Sequence, residues 1–537
     1  MERFSAKIVM LHGYRRAGLA LIAGAFLALA QAPFDFFFAG FISIPLLVWL
    51  LDGAAADRKG RFLSSIRPAF SVGWFFGFGY FLAGLWWVAT ALLVDAEQFA
   101  WAIPLAITVL PAGLALFYAL ATASARIFWS DGLGRVFALA ASFGIFEWLR
   151  GTILTGFPWN PVGFAGMPTP ILMQSVHAVG SASMNILVVL LFAVPALLST
   201  RRHLMPGAAG GFLLLAMHLG YGYWHMQQPV DDADKKPLNV RVVQPAIDQS
   251  EKWDGAVRDR IFSTLLDLSR QPNTESRAPS ELIVWPETSI PFLLTDRPDA
   301  LVQIADMLKA GQMLIAGAVR EEQDPSVANG VVYYNSMIAI DDAGVIADAV
   351  DKVHLVPFGE YMPFEEQLAR WGITKIVPLP ASFRPGTQSS LSILDGIIAS
   401  GFICYEIIFP GEVGRSADGA GLIINITNDA WFGTTPGPYQ HFRQAQIRAV
   451  ETGLSVIRAA NSGISGLIDP RGHVVGALSL NSKGFVDVTA MTRPGHKIPA
   501  AQHNLIFLSL LITLGLFSFG LSGVYRRKIS LNIRHSN

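Results

Sequence analysis

Apolar residues in this chain are not spread evenly. They form nearly continuous runs from Ala17 to Tyr223, give way to shorter runs between Asp231 and Asn504, and return from Leu505 to Val524. A helix needs about 20 apolar residues to cross a bilayer, so a membrane-embedded N-terminal part, a water-exposed middle and a last anchoring helix are expected. Only 15% of the 537 residues are charged, against about 25% in ordinary soluble domains. Forty basic and forty acidic residues leave no net charge, and no basic patch with interleaved aromatics tracks a phosphate backbone. Nucleic acid is therefore not an expected partner.

The stretch from Ala17 to Leu51 is too long for one crossing and is interrupted by Pro33 and Asp35, so it reads as two short helices. Further spans are expected at Phe70–Val94, Trp101–Phe128, Val136–Leu154, Ile171–Ser199, Ala208–Tyr223 and Leu505–Val524, eight in all. Arg15 and Arg16, then Arg58, Lys59, Arg61 and Arg67, then Arg135, Arg201 and Arg202, and finally Arg526, Arg527 and Lys528 all fall on one side of these spans. Basic loops mark the cytoplasmic face, which puts the segment between the last two spans outside. The loop with Asp95 and Glu97, which has no base, agrees. The basic start and Ala30-Gln31-Ala32 also resemble a cleavable signal peptide; the orientation is the same either way.

From Leu238 the texture changes to short β-type runs. Strands are expected at Asn239–Val243, Leu282–Trp285, Met313–Ala318, Val331–Ile340, Val345–Val350, Gly396–Ile403, Leu422–Thr427, Leu454–Ala459, Gly466–Asp469 and Val474–Ala477. Helical periodicity appears at Ala256–Leu268, Ala300–Ala310 and Tyr439–Thr452. Such alternation predicts a layered α/β domain. The expected division is a transmembrane domain over 1–230, a catalytic domain over 231–500, and an eighth helix with its tail over 501–537.

Three segments put a reactive side chain at the end of a β-run, where open α/β sheets meet their ligands. Glu287 follows Trp285 and Pro286; a carboxylate beside apolar walls can act as a general base, and a solvated turn residue is the bland alternative. Lys352 enters a loop shaped by Pro357 and Gly359, where an ammonium could steady an oxyanion or lower a thiol pKa, unless it is a surface lysine. Cys404 is the sole cysteine, so it has no intramolecular disulfide partner and any thiol chemistry falls to it. A free cysteine is by default inert packing, but Glu406 places a charge in the same apolar run.

Glu287 in Trp-Pro-Glu, Lys352 in Lys-x-His-Leu-x-Pro-Phe-Gly-Glu and Cys404 in Ile-Cys-Tyr-Glu together resemble the Glu-Lys-Cys triad of the nitrilase superfamily. The segments from Thr427 to Phe432 and from Arg458 to Gly463 are similar to it too. With eight spans around such a domain, and with Glu147–Gly151 and Gly156–Asn160 matching a membrane-domain signature, the chain resembles the apolipoprotein N-acyltransferases of bacterial inner membranes. The resemblance implies an αββα sandwich inserted into an eight-helix bundle and facing the periplasm. It implies Glu287 as base, Cys404 as nucleophile and Lys352 as oxyanion partner, supported by Glu360 and Glu406, with Tyr405 and Trp253 near substrate.

The implied reaction transfers an acyl chain from a phospholipid, typically phosphatidylethanolamine, to Cys404. The thioester then passes it to the α-amine of a diacylglyceryl-cysteine on a lipoprotein. Neither metal nor cofactor is needed, and a monomer among membrane lipids is expected. Two rivals stand beside this reading. A membrane-anchored amidase would use water in place of the amine, but one helix suffices to anchor a hydrolase. A transporter or sensor would carry ionisable groups inside its spans, but the mid-span positions here are almost free of them, with Glu147, near a span end, as the exception.

Overall fold

The computed structural model describes residues 2–54, 62–94, 96–228, 236–249, 257–273, 278–327, 330–364, 370 and 382–535. Arg58, Lys59, Arg61, Asp95, Trp253 and the expected boundary at residue 230 lie outside these residues. The chain divides into two compact units. One comprises Met1–Ala89, Ala102–Gln228 and Ala500–Asn537, the other Thr90–Trp101 and Pro229–Pro499.

The first unit is helical: α1 (Glu2–Val9), α2 (Gly13–Leu27), α3 (Gly40–Gly53), α4 (Phe62–Leu85), α5 (Ile103–Ile127), α6 (Leu133–Arg150), α7 (Ser175–Ala193), α8 (Leu204–Gln227) and α13 (Ala500–His535). Between apolar helices that share an apolar solvent, close backbone approach replaces the hydrophobic drive. A Cβ on Gly24 of α2 would sit 1.8 Å from the Phe76 carbonyl oxygen of α4, and one on Gly79 would sit 2.0 Å from that of Leu21. Only glycine at both positions lets these two helices touch along their backbones.

Helices form at all eight expected places, but six stretches are long and apolar enough to cross a membrane: Gly13–Ala30, Ser65–Leu93, Ala100–Ile127, Ser175–Ser199, Leu204–Gln227 and Ala500–Ser522. The count of eight therefore does not follow from length and apolarity. Helix α3 has only 14 residues, and α6 carries Arg135, Glu147 and Arg150. Those charges are buried and partnered. Arg135 pairs with Asp52 at 2.5 Å. Glu147 pairs with Arg150 at 2.5 Å and accepts from the Tyr118 hydroxyl at 2.6 Å and the Val162 N–H at 3.0 Å. Gln31 is also buried, donating to the Tyr80 hydroxyl at 2.7 Å and the Pro161 carbonyl at 3.2 Å.

The second unit holds two six-stranded sheets. The first runs in the order β12 (Gly484–Thr492), β1 (Lys236–Gln244), β2 (Leu282–Val284), β3 (Met313–Gln323), β4 (Val331–Ile340), β5 (Ile346–Asp351). The second runs β11 (Val474–Leu478), β10 (Ser465–Ile468), β9 (Val456–Ala460), β8 (Leu422–Thr427), β7 (Ile398–Ile403), β6 (Ser390–Ser392). Strands β1–β3 and β7–β9 pair in parallel and the outer ones antiparallel. Parallel strands are covered on both faces and read as unbroken apolar runs; Leu-Ile-Ile-Asn-Ile-Thr of β8 is buried at every position.

Helices α9 (Arg258–Arg270) and α10 (Pro298–Met307) cover the first sheet, packing Ile261, Phe262, Leu265 and Ile304 against Val243, Ile283, Trp285 and Leu314. Helices α11 (Pro410–Ser416) and α12 (Pro436–Thr452) accompany the second. The arrangement is the expected αββα sandwich. Strands β6 and β12 and helix α11 are additions to the expected elements, and β3 runs on to Gln323 as a long hairpin with β4.

Candidate active site

Three strands deliver the side chains of the site: β2 and β7, each parallel to a neighbour in its own sheet, and β5, which is antiparallel to β4. Strand β2 stops at Val284. Trp285 turns its ring into the core, edge-on to Phe262 at 6.1 Å, with its indole N–H on Ser269 Oγ at 2.9 Å. Glu287 then emerges two residues on. Its backbone lies against β3 so tightly that a Cβ on Gly317 would come within 2.4 Å of the Thr288 nitrogen and 2.6 Å of the Glu287 Cα.

Lys352 follows β5 directly, and its side chain is almost wholly enclosed. Its Nζ lies 2.8 Å from Glu360 Oε1 and 3.5 Å from Glu287 Oε1. Burial opposes the ammonium charge, but Glu360 and then Glu287 more than offset it and hold Lys352 protonated well above the ordinary lysine range. Glu360 is fixed in turn, because its Oε2 accepts the Val356 N–H at 2.8 Å across the loop.

Cys404 follows β7 directly, with φ of +53°, in the left-handed region that a non-glycine residue rarely adopts. Such a conformation costs about 1–3 kcal/mol and persists where the surroundings enforce it. Here the enforcing group is Glu406. Its Oε2 accepts the Ile403 N–H at 2.7 Å, while Oε1 accepts the N–H groups of Val353 and His354 at 2.7 and 2.9 Å. One buried carboxylate thus ties the segment after Lys352 to the segment before Cys404. Burial pushes Glu406 up to about 7 against the pull of those backbone donors. Burial, and then the charge of Glu287, push the Cys404 thiol up to about 12, with Lys352 pulling the other way.

The structure therefore brings Glu287, Lys352, Cys404, Glu360 and Glu406 into one cluster. Tyr405 is buried beside it, edge-on to Phe409 at 4.9 Å and to His354 at 5.6 Å. Several members were not singled out from sequence. Asn335, in the middle of β4, donates from Nδ2 to Glu287 Oε1 at 2.8 Å and to Glu360 Oε1 at 2.9 Å. The signal for it was a polar Asn-Ser pair inside an apolar strand. Behind Cys404, Asp429 bonds His441 Nδ1 at 2.8 Å and Arg458 at 2.8 Å. Those residues lie in or near segments that carried the family resemblance, but their roles become visible only in three dimensions. Among the described residues no group of His, Cys, Asp and Glu could hold a metal ion.

A buried cysteine at a strand end, with a carboxylate and a lysine in electrostatic contact, set in a two-sheet sandwich, defines a carbon–nitrogen hydrolase-type domain. The family model for carbon-nitrogen hydrolases matches residues 239–493, and that for the apolipoprotein N-acyltransferase N-terminal domain matches residues 23–194. Apolipoprotein N-acyltransferase of Brucella suis biovar 1 (strain 1330) is 52% identical over 489 residues, covering 91% of this chain and 92% of that one. The protein of the same description from Sinorhizobium fredii is 48% identical over 536 residues, covering 99% and 100%. Among solved structures, Saccharomyces cerevisiae Nit3, a member of the nitrilase superfamily, covers 50% of this chain and 94% of its own at 20% identity and a TM-score of 0.34; that likeness is too loose to add to the sequence matches. The chain belongs to the apolipoprotein N-acyltransferases.

Proposed function

We propose that this protein N-acylates lipoproteins, taking an acyl chain from a membrane lipid and carrying it as a thioester on Cys404. The observation that carries the reading is the enclosed Lys352, held charged between Glu287 and Glu360 beside a thiol in a strained backbone position. With its pKa pushed up to about 12, Cys404 rests as a thiol at neutral pH, so its proton must leave as the sulfur attacks. Glu287 takes that proton. The sulfur adds to the donor's ester carbonyl, and the oxyanion forms beside the Lys352 ammonium. When the intermediate collapses, the ester oxygen leaves with the proton from Glu287, giving a lysophospholipid and the thioester.

In the second half, the amine of the lipoprotein's diacylglyceryl-cysteine adds to the thioester carbonyl and gives its proton to Glu287. Collapse breaks the C–S bond and forms the amide, and Glu287 returns the proton to sulfur. A thiolate leaves readily and amines attack thioesters well, which suits a two-step transfer. The amidase alternative, with water as acceptor, is not favoured by the family.

The finer reading is phosphatidylethanolamine as donor, a monomer, and a bacterial inner-membrane protein with the 231–500 domain on the periplasmic side. The orientation rests on the basic loops, which fall on one side when α3 and α6 are counted as crossings beside the six long apolar stretches; the donor and the monomer rest on the family resemblance. The test is the intact mass of the purified protein after incubation with phosphatidylethanolamine. One acyl adduct is expected, located to Cys404 by peptide mapping and lost in Cys404→Ala. An adduct that persists in Cys404→Ala would sink the mechanism.

A further inference from the structure

Helix α12 buries His441 directly behind the nucleophile, and both of its ring nitrogens face oxygen. Nδ1 lies 2.8 Å from Asp429 Oδ1, and Nε2 lies 3.1 Å from the Cys404 carbonyl oxygen. A carbonyl oxygen can only accept. Asp429 is also held as an acceptor, because its Oδ2 takes a 2.8 Å bond from Arg458 and its Oδ1 a 3.0 Å bond from the Thr427 hydroxyl. Although burial opposes its charge, Arg458 and His441 hold that carboxyl well below the usual carboxylate range.

A neutral imidazole has one N–H and one lone pair. In either tautomer it would satisfy one oxygen and press a lone pair against the other at contact distance, in a site closed to water. We infer that His441 is a buried imidazolium, so that the His441, Arg458 and Asp429 cluster carries one net positive charge against the backbone of Cys404. Burial and then the Arg458 guanidinium work against the second proton and outweigh Asp429 and the Cys404 carbonyl electrostatically, pulling the ring below the ordinary histidine range. Against that pull we set the hydrogen-bond geometry, since an unmade bond in a buried site is costly.

A second arm reaches the same carbonyl. Asn425 Nδ2 approaches it at 3.5 Å and donates to the Phe402 carbonyl at 2.9 Å, while Asn425 Oδ1 is held by Arg458. The cluster thus grips the peptide of the strained residue and adds positive charge where a thiolate must form. His441 is a positioning residue by this account, since it touches the carbonyl of Cys404 and not the reacting sulfur. The inference rests on reading Cys404 as the nucleophile.

Two measurements on the full-length protein test it, and neither needs an acyl substrate. Nitrogen-15 spectra of histidine-labelled protein, with His441→Gln to assign the ring, should show both His441 nitrogens protonated at pH 7.5. Because Cys404 is the sole cysteine, iodoacetamide alkylation reports its thiolate alone. A glutamine amide can still donate to the Cys404 carbonyl but has no charge. His441→Gln should therefore shift the alkylation profile about one pH unit upward, which is about tenfold slower reaction at pH 7.5. A neutral ring in the spectra, or an unmoved alkylation profile in His441→Gln, overturns the proposal. If His441→Gln does not fold, the ring is assigned through its contacts in the parent protein and the spectra decide alone. If phospholipid leaves no adduct on Cys404, the acyl-transfer reading fails while both of these measurements still give their answer.

Discussion

Lys352 shows how a charged side chain can be buried on purpose. An unpaired ammonium in the interior is costly, and two carboxylates bring the site to net negative before any substrate arrives. Asn335 keeps those carboxylates apart by giving one donor to each. Lys352→Ala is expected to slow thioester formation and amine transfer alike by about 10²- to 10³-fold. Lys352→Arg should not restore them, since a planar guanidinium does not fit between acceptors set for a compact ammonium. Glu287→Gln should block the first half-reaction. Single-turnover kinetics on each variant, following acyl-enzyme formation and then decay with a diacylglyceryl peptide, checks all three. Parent-rate acylation of Cys404 in Glu287→Gln would falsify Glu287 as the activating base. The sequence motifs carried Glu287, Lys352 and Cys404, because each sits in a short distinctive segment. They did not carry Asn335, whose role exists only because β4 pairs with β3 and β5 and so faces both carboxylates.

The elements meet the site through turns with no slack. Gly317 of β3 passes beneath the Glu287 turn with no room for a methyl group. Gly317→Ala is expected to displace Glu287 and lose about 1–3 kcal/mol of stability, as overpacking does. A thermal melt would show the loss, and the rate of adduct formation on Cys404 would fall further than the melt alone explains. An unchanged melt with an unchanged adduct rate would contradict the contact. Most of the sandwich was readable as β-runs, since buried parallel strands such as β8 are continuously apolar. Strand β6, three residues long, offered no pattern. Strand β12 did offer one, with Val486, Val488 and Ala490 alternating with Asp487 and Thr489, but its half-buried face gives it the look of a polar loop. Among the membrane helices, α6 is too charged to pass as a span by composition, since it carries Arg135, Glu147 and Arg150; that Glu147 and Arg150 satisfy each other internally is visible only in the structure.

For the molecule as a whole, the proposed topology puts the catalytic domain and the last cytoplasmic tail on opposite sides of one membrane. A reporter active only outside the cytoplasm should work when fused after Gln228 and fail when fused after Lys528; the reverse pattern would place the acceptor amine on the wrong side and remove the reading. Within the second unit, the first strand and the last are neighbours. Strand β1 pairs along its whole length with β12, Lys236 opposite Thr492 and Gln244 opposite Gly484, and Arg241 is clamped to Asp487 at 2.8 Å. This neighbourhood sets an order of events during synthesis. The ribosome delivers β1 more than two hundred residues before its partner, so the first sheet keeps an open edge until the chain has been read almost to its final helix. Closing a loop of that length costs little more than closing a shorter one, but it cannot happen early. An exposed strand edge invites pairing with other chains, so a message cut short anywhere in this domain yields a product with a sticky border and no means of sealing it.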